Sequence, residues 1–203
     1  MKIKVCGMRD AENIKSLIAL KPDFIGFIFY NKSKRFVSEF PQIKFPKAIK
    51  KVGVFVNESL EEVLKISKKH QLVFVQLHGN ETPEFCQKLV NMFTDRSRSE
   101  KPHHSELGLE SFEIIKAFSV DENFNFEQTK PFEKYCKYFL FDAKGTNYGG
   151  NGIKFNWEML QNYKGEVPFL LSGGITKKDA NEIKRINHPK FIGVDVNSGF
   201  EIE

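Results

Sequence analysis

Eight short apolar runs punctuate the chain: Ile3–Cys6, Phe24–Phe29, Val52–Val56, Val73–Leu77, Phe112–Phe118, Tyr138–Phe141, Phe169–Leu171 and Phe191–Val196. Several are almost continuously apolar rather than alternating, as expected of parallel strands covered on both faces. Segments of helical periodicity lie between most of them. Asp10–Leu20 sets Ile14, Leu17 and Ile18 on one face, with Asp10 as N-cap. Ser59–His70 aligns Leu60, Val63, Leu64 and Ser67. Thr82–Phe93 opens with Thr-Pro, a cap followed by the residue favoured at the first helical position. Thr176–Ile186 opens with Thr and carries Asp179 three residues on, close to a capping box.

Strand-helix alternation predicts a parallel α/β fold. Eight strands in 203 residues suit a compact (β/α)8 TIM barrel forming one domain over residues 1–203. An open, doubly wound sheet is the alternative. The barrel is favoured because polar and glycine-rich segments follow nearly every strand, and a barrel collects all of them on one face. Two stretches depart from the pattern. Residues Thr94–Glu110 are polar and poor in apolar side chains, so a mobile surface loop is expected there. After the last strand only Gly199–Glu203 remains, so an eighth helix is expected to be missing or truncated.

Composition narrows the class. Apolar content of 40% with 28% charged residues reads as soluble and globular. No apolar run approaches the ~18 residues of a membrane span, and the first residues carry no signal-peptide pattern. Three scattered cysteines fit a reducing cytoplasm, with Cys86 and Cys136 as core thiols. A net charge of +5 admits either nucleic acid or a small anionic substrate. The lysines spread over helix faces, as in Lys65, Lys68 and Lys69, and the 21 phenylalanines sit mainly in apolar runs. That favours a solvated basic surface and core phenylalanines over a basic stripe with stacking aromatics, so no nucleic-acid or membrane partner is expected. His103 and His104 are adjacent and lack a third ligand at metal spacing, so no metal is expected.

Candidate chemistry gathers at the strand ends. Cys6 closes the first run and precedes Gly7. A thiol there either packs as a small hydrophobe or reacts. Asp142 ends the run Tyr138-Phe139-Leu140-Phe141, where a carboxyl group can hold and donate a proton, cap the next turn or pair with Lys144. Arg35, in Lys32-Ser33-Lys34-Arg35, can clamp a carboxylate with its planar fork or belong to a solvated loop. The turns Gly173-Gly174 and Ser198-Gly199 follow adjacent strands, where such barrels bind phosphate, the first leading into a helix N-terminus. They can equally be tight turns alone. The segment Lys144–Gly152, with Gly149, Gly150 and Gly152, is either a flexible connector or a lid.

Taken in order, these segments resemble the phosphoribosylanthranilate isomerase family. The resemblance rests on Lys4-Val5-Cys6-Gly7-Met8, Gly26–Tyr30 with Lys32–Arg35, Val52–Asn57 and Val75-Gln76-Leu77-His78-Gly79. It continues through Phe141-Asp142, Gly149–Gly152 with Phe155-Asn156-Trp157, Leu171–Gly174 and Val194–Gly199. It implies a TIM barrel and a cofactor-free Amadori rearrangement in tryptophan biosynthesis, with N-(5-phosphoribosyl)anthranilate becoming 1-(2-carboxyphenylamino)-1-deoxyribulose 5-phosphate. It implies Asp142 as general acid, Cys6 as general base and Arg35 as the holder of the anthranilate carboxylate. His78 and Asp195 would line the substrate site, and Gly173, Gly174, Ser198 and Gly199 would hold the phosphate. The partner is then a small anionic phosphosugar, with the protein a monomer or homodimer. Asn156 stands where the family commonly has Asp, a change at a helix start. Another phosphosugar aldose–ketose isomerase and a non-catalytic phosphate-binding barrel remain the alternatives.

Overall fold

The computed structural model describes residues 1–99, 112–145 and 154–201. Eight parallel strands close into a barrel in sequence order: β1 (Lys2–Val5), β2 (Phe24–Ile28), β3 (Lys50–Phe55), β4 (Phe74–Leu77), β5 (Glu113–Val120), β6 (Cys136–Ala143), β7 (Phe169–Leu171) and β8 (Phe191–Val196). The sheet is closed by β1 on β8, with Lys4 opposite Asp195 and Val5 opposite Val196. The N–H of Cys6 extends that ladder to the Val196 carbonyl at 3.0 Å. The open doubly wound alternative is thereby excluded.

The apolar runs are apolar because both faces of the sheet are covered. Inside, Phe24, Val52, Phe74, Ile115, Ala117, Leu140 and Leu170 form one buried cluster. Phe24 meets Phe74 edge-on at 5.3 Å, and Tyr138 stacks on Phe74 at 5.7 Å. A second, larger cluster lies between the barrel wall and the surrounding segments. Most of the phenylalanines are therefore core residues, Phe200 being exposed, and each one fully buried contributes roughly 1.5–3 kcal/mol.

The outer layer departs from eight regular helices. Helix α1 (Ala11–Ala19) begins at Asp10, whose carboxylate accepts from the Asn13 N–H at 2.7 Å. Helix α2 (Leu60–His70) is capped by Ser59. Helix α3 (Pro83–Ser99) starts as expected after Thr82 but runs six residues beyond Phe93. The expected loop was wrong over 94–99. Polarity alone does not end a helix, and no Gly or Pro interrupts the chain before Pro102. Residues 100–110, with His103 and His104, lie outside the described residues.

No helix follows β2. Pro41 and Pro46 disfavour one, and the segment instead lays Phe40 and Phe45 on Phe27, at 4.7 and 5.8 Å between rings. After β5 and β6 come 3-10 helices, Phe126–Phe132 and Trp157–Asn162. Asn156 caps the second by accepting from the Glu158 N–H at 3.0 Å, so it does serve as a helix start. The segment after β7 is a 3-10 turn, Lys177–Asp179, followed by the single-turn α4 (Ala180–Ile183). Among the described residues no helix is long and apolar enough to cross a membrane.

One buried ion pair braces the loops that carry the site. Lys116 on β5 and Glu81 after β4 meet at 3.1 Å, both almost completely buried. Lys116 also donates to the carbonyls of Gly79 and Ala117, at 2.8 and 3.1 Å. Glu81 accepts from the N–H groups of Asn57 and Gly79. Removing one partner would leave the other charge buried and uncompensated. Glu81→Ala is expected to lower unfolding free energy by about 3–5 kcal/mol, measured by urea denaturation. A loss under about 1 kcal/mol would show that the pair behaves as a surface contact.

Candidate active site

One cavity opens at the C-terminal ends of the strands. Its lining includes all nine predicted site residues that fall within the described chain: Cys6, Arg35, His78, Asp142, Gly173, Gly174, Asp195, Ser198 and Gly199. Gly149, Gly150 and Gly152 lie outside the described residues. The strand period of two explains how distant residues converge. Asp142 is the seventh residue of β6, two after Leu140, which points into the barrel core, so it too points inward.

The acid side of the cavity is built on β4 and β6. His78 Nε2 lies 3.2 Å from Asp142 Oδ2. His78 Nδ1 is 3.0 Å from the Gln76 amide nitrogen, which donates to it and so directs the Nε2–H at the carboxyl group. Lys144 does not pair with Asp142; it reaches Asp121 instead, at 2.5 Å. Asp142 is thus held by a histidine, an arrangement not anticipated above. The signal was available, because Gln76 precedes His78 by two residues and shares its face.

The thiol side is built on β1 and β8. Cys6 is buried at the cavity floor. Burial pushes its thiol above the ordinary range, the Lys4 ammonium pulls it back, and Asp195 opposes that pull. Lys4 is completely buried and bonds Asp195 Oδ2 at 2.9 Å. Burial works against its charge, but the Asp195 carboxylate and then Cys6 outweigh burial and hold Lys4 above the usual lysine range.

Arg35 lines the cavity, but its fork is not free. Its Nε and Nη2 edge forms a two-pronged ion pair with Glu201. That pairing raises Arg35 and holds Glu201 below the usual carboxylate range. A guanidinium has a second edge, Nη1 with the remaining Nη2 hydrogen, and among the described residues no hydrogen-bond partner occupies it. Glu201 was missed in the sequence because it lies 166 residues away.

At the far side, Gly173 and Gly174 both have positive φ, +93° and +61°. Among the described residues none offers an acceptor to either backbone N–H. At the helix start they lead into, one N–H is already taken. Asp179 Oδ2 accepts from both the N–H and the hydroxyl of Thr176, at 2.7 and 2.9 Å, completing the capping box. Three buried acceptors in the cavity wall, Gln76 Oε1, Asp195 Oδ1 and Asn197 Oδ1, have no partner among the described residues. They suit a ligand rich in hydroxyl donors.

A family model of N-(5'-phosphoribosyl)anthranilate (PRA) isomerase matches residues 3–98 and 97–203. The chain belongs to the phosphoribosylanthranilate isomerase family. It is 44% identical to the N-(5'-phosphoribosyl)anthranilate isomerase of Parabacteroides distasonis over 208 residues, covering all of this chain and 86% of that protein. Identity to the enzyme of Phocaeicola vulgatus is 41%, covering 99% and 89% of the two chains. The fold matches the crystal structure of phosphoribosyl anthranilate isomerase from Thermotoga maritima with a TM-score of 0.74 and 30% identity, over 99% and 89% of the chains. A second family structure, solved in complex with reduced 1-(o-carboxyphenylamino)-1-deoxyribulose 5-phosphate, matches with a TM-score of 0.72 and 27% identity, over 99% and 89%.

In this isomerase the Gly173 turn admits no side chain. A Cβ would lie 2.5 Å from the Ala143 nitrogen, at a φ that L-residues avoid. Gly173→Ala is expected to destabilise the fold by about 1–3 kcal/mol in thermal unfolding. An unchanged melting temperature would mean the turn relaxes freely.

Proposed function

We propose that this isomerase converts N-(5-phosphoribosyl)anthranilate to 1-(2-carboxyphenylamino)-1-deoxyribulose 5-phosphate, in tryptophan biosynthesis, with Asp142 as acid and Cys6 as base. The observation that carries the assignment of roles is that a buried thiol and a histidine-held carboxyl group line one cavity with Arg35 and two glycine turns.

The His78 Nε2–H fixes Asp142 Oδ2 as an acceptor, so the transferable proton belongs on Oδ1. Given to the furanose ring oxygen, it lets the C1–O bond break and leaves an iminium between C1 and the anthranilate nitrogen. The Cys6 thiolate then takes the C2 proton. The C2–H electron pair becomes the C1–C2 double bond, and the iminium pair returns to nitrogen, giving an enolamine. Tautomerisation to the ketone oxidises C2 as it reduces C1, so the step balances within the substrate. The iminium lowers the demand on the base, so a thiolate suffices, although burial favours its protonated form.

Recognition follows the charges. Arg35 offers its free edge to the anthranilate carboxylate, and the amides of Gly173, Gly174, Ser198 and Gly199 face the phosphate. The unpartnered Gln76, Asp195 and Asn197 oxygens accept from the sugar hydroxyls.

Loss of phosphoribosylanthranilate fluorescence with purified protein tests the activity. Cys6→Ala and Asp142→Asn are each expected to lower kcat by at least about 100-fold with much smaller changes in KM. Near-full activity in either variant would remove that residue from its role. Glu201→Gln tests the clamp separately. If Glu201 orients Arg35, KM rises several-fold while kcat changes less. A fall in KM would make Glu201 a competitor for the substrate carboxylate.

A further inference from the structure

The roles proposed above leave a physical difficulty. A general base must lose its proton before it can accept another, and Cys6 is buried among groups of mixed charge. Its neighbours decide whether that is feasible. Facing it are Lys4 from its own strand and Asp195 from β8. Arg35 approaches from the segment after β2, and His78 and Asp142 stand across the mouth.

Lys4 is the cation built into the wall. Two residues before Cys6, it projects to the same side of the chain. It is completely buried, and its ammonium is anchored at 2.9 Å on Asp195 Oδ2. The neighbouring strand leaves room for it to meet the thiol. A Cβ built on Gly26 would lie 2.8 Å from Cys6 Sγ and 3.2 Å from Lys4 Nζ, so both atoms occupy the space that a side chain there would fill. A buried lysine kept charged solely to pair with an aspartate is a poor stabilising device, since an apolar pair of similar volume often does as well. An ammonium wedged between a carboxylate and a thiol has a further use.

We propose that Lys4 is a positioning residue that supplies the positive charge against which Cys6 ionises, with Asp195 holding the ammonium in place. This rests on the assignment of Cys6 as base. The resting thiol loses its proton to solvent through the cavity mouth. In turnover Sγ gains the substrate C2 proton while Lys4 keeps all three of its own. Asp195 then serves two ends: Oδ2 anchors Lys4, and the unpartnered Oδ1 remains for a substrate hydroxyl.

The test reads the thiol without substrate. Iodoacetamide alkylation of Cys6 is followed against pH by peptide mass spectrometry, which separates it from Cys86 and Cys136. In Lys4→Met the alkylation midpoint is expected to rise by about 1–3 pH units. The acid limb of kcat should move with it and KM should stay within a few-fold. Lys4→Arg, which keeps the charge, should restore much of both. An unchanged midpoint in folded Lys4→Met protein overturns the proposal and leaves Lys4 a structural residue. Should that variant not fold, reciprocity supplies a second reading. If the ammonium favours the thiolate, the thiolate favours the ammonium, so the Lys4 titration, read by 13Cε NMR, must fall in Cys6→Ala. No movement there also overturns the proposal. Because neither measurement uses substrate, their failure is distinct from failure of the isomerase assay.

Discussion

The register between the first and last strands governs everything at the mouth of this barrel. Closing a sheet links strand tilt, stagger and diameter, so β1 can meet β8 only at a defined offset. The offset found here sets Lys4 opposite Asp195 and continues the ladder through the Cys6 N–H. A slip of one residue would turn every inward side chain outward. Lys4 and Cys6 would then lie in the outer apolar layer, and Asp195 would face no cation. The thiol's surroundings are therefore a property of closure rather than of any local segment.

The interior is divided along the barrel axis. At one end Phe24, Phe74 and Tyr138 pack edge-on and stacked among Val52, Leu140 and Leu170, forming a mainly apolar plug. At the other end β1, β4, β6 and β8 present Cys6, His78, Asp142 and Asp195. Charges are tolerated at that end because each has a counterpart. Lys4 has Asp195, Lys116 has Glu81, and Arg35 has Glu201. A lone buried ion would be prohibitive, whereas pairing with good geometry makes it tolerable. The pairs also differ in use. Lys116 and Glu81 brace loops from behind, while the other two border the cavity itself.

Much of this was legible in the chain, for reasons that can be stated. Strands covered on both faces must be apolar throughout, so the eight runs marked all eight strands. Caps are local, so Asp10 and the Thr176–Asp179 box could be read directly. The connections were less legible. Whether a polar stretch is helix or loop depends on breakers, and their absence let α3 run through to Ser99. Pro41 and Pro46 show the converse, turning the segment after β2 into an extended cover for Phe27.

The sequence by itself determined the alternation, the barrel and the residue types at the strand ends, because these follow from periodicity and short-range sterics. Family resemblance added roles for Cys6 and Asp142. Tertiary structure alone decided what surrounds those residues. Glu201 on Arg35, Asp195 on Lys4 and His78 on Asp142 are meetings between distant segments, and no local rule brings them together. It also gave the Thr176 N–H, at the helix start that the glycine turn leads into, to Asp179. Side-chain chemistry is written in the chain, but whether a thiol sits beside an ammonium depends on the closing register. That register is settled only when all eight strands pack at once.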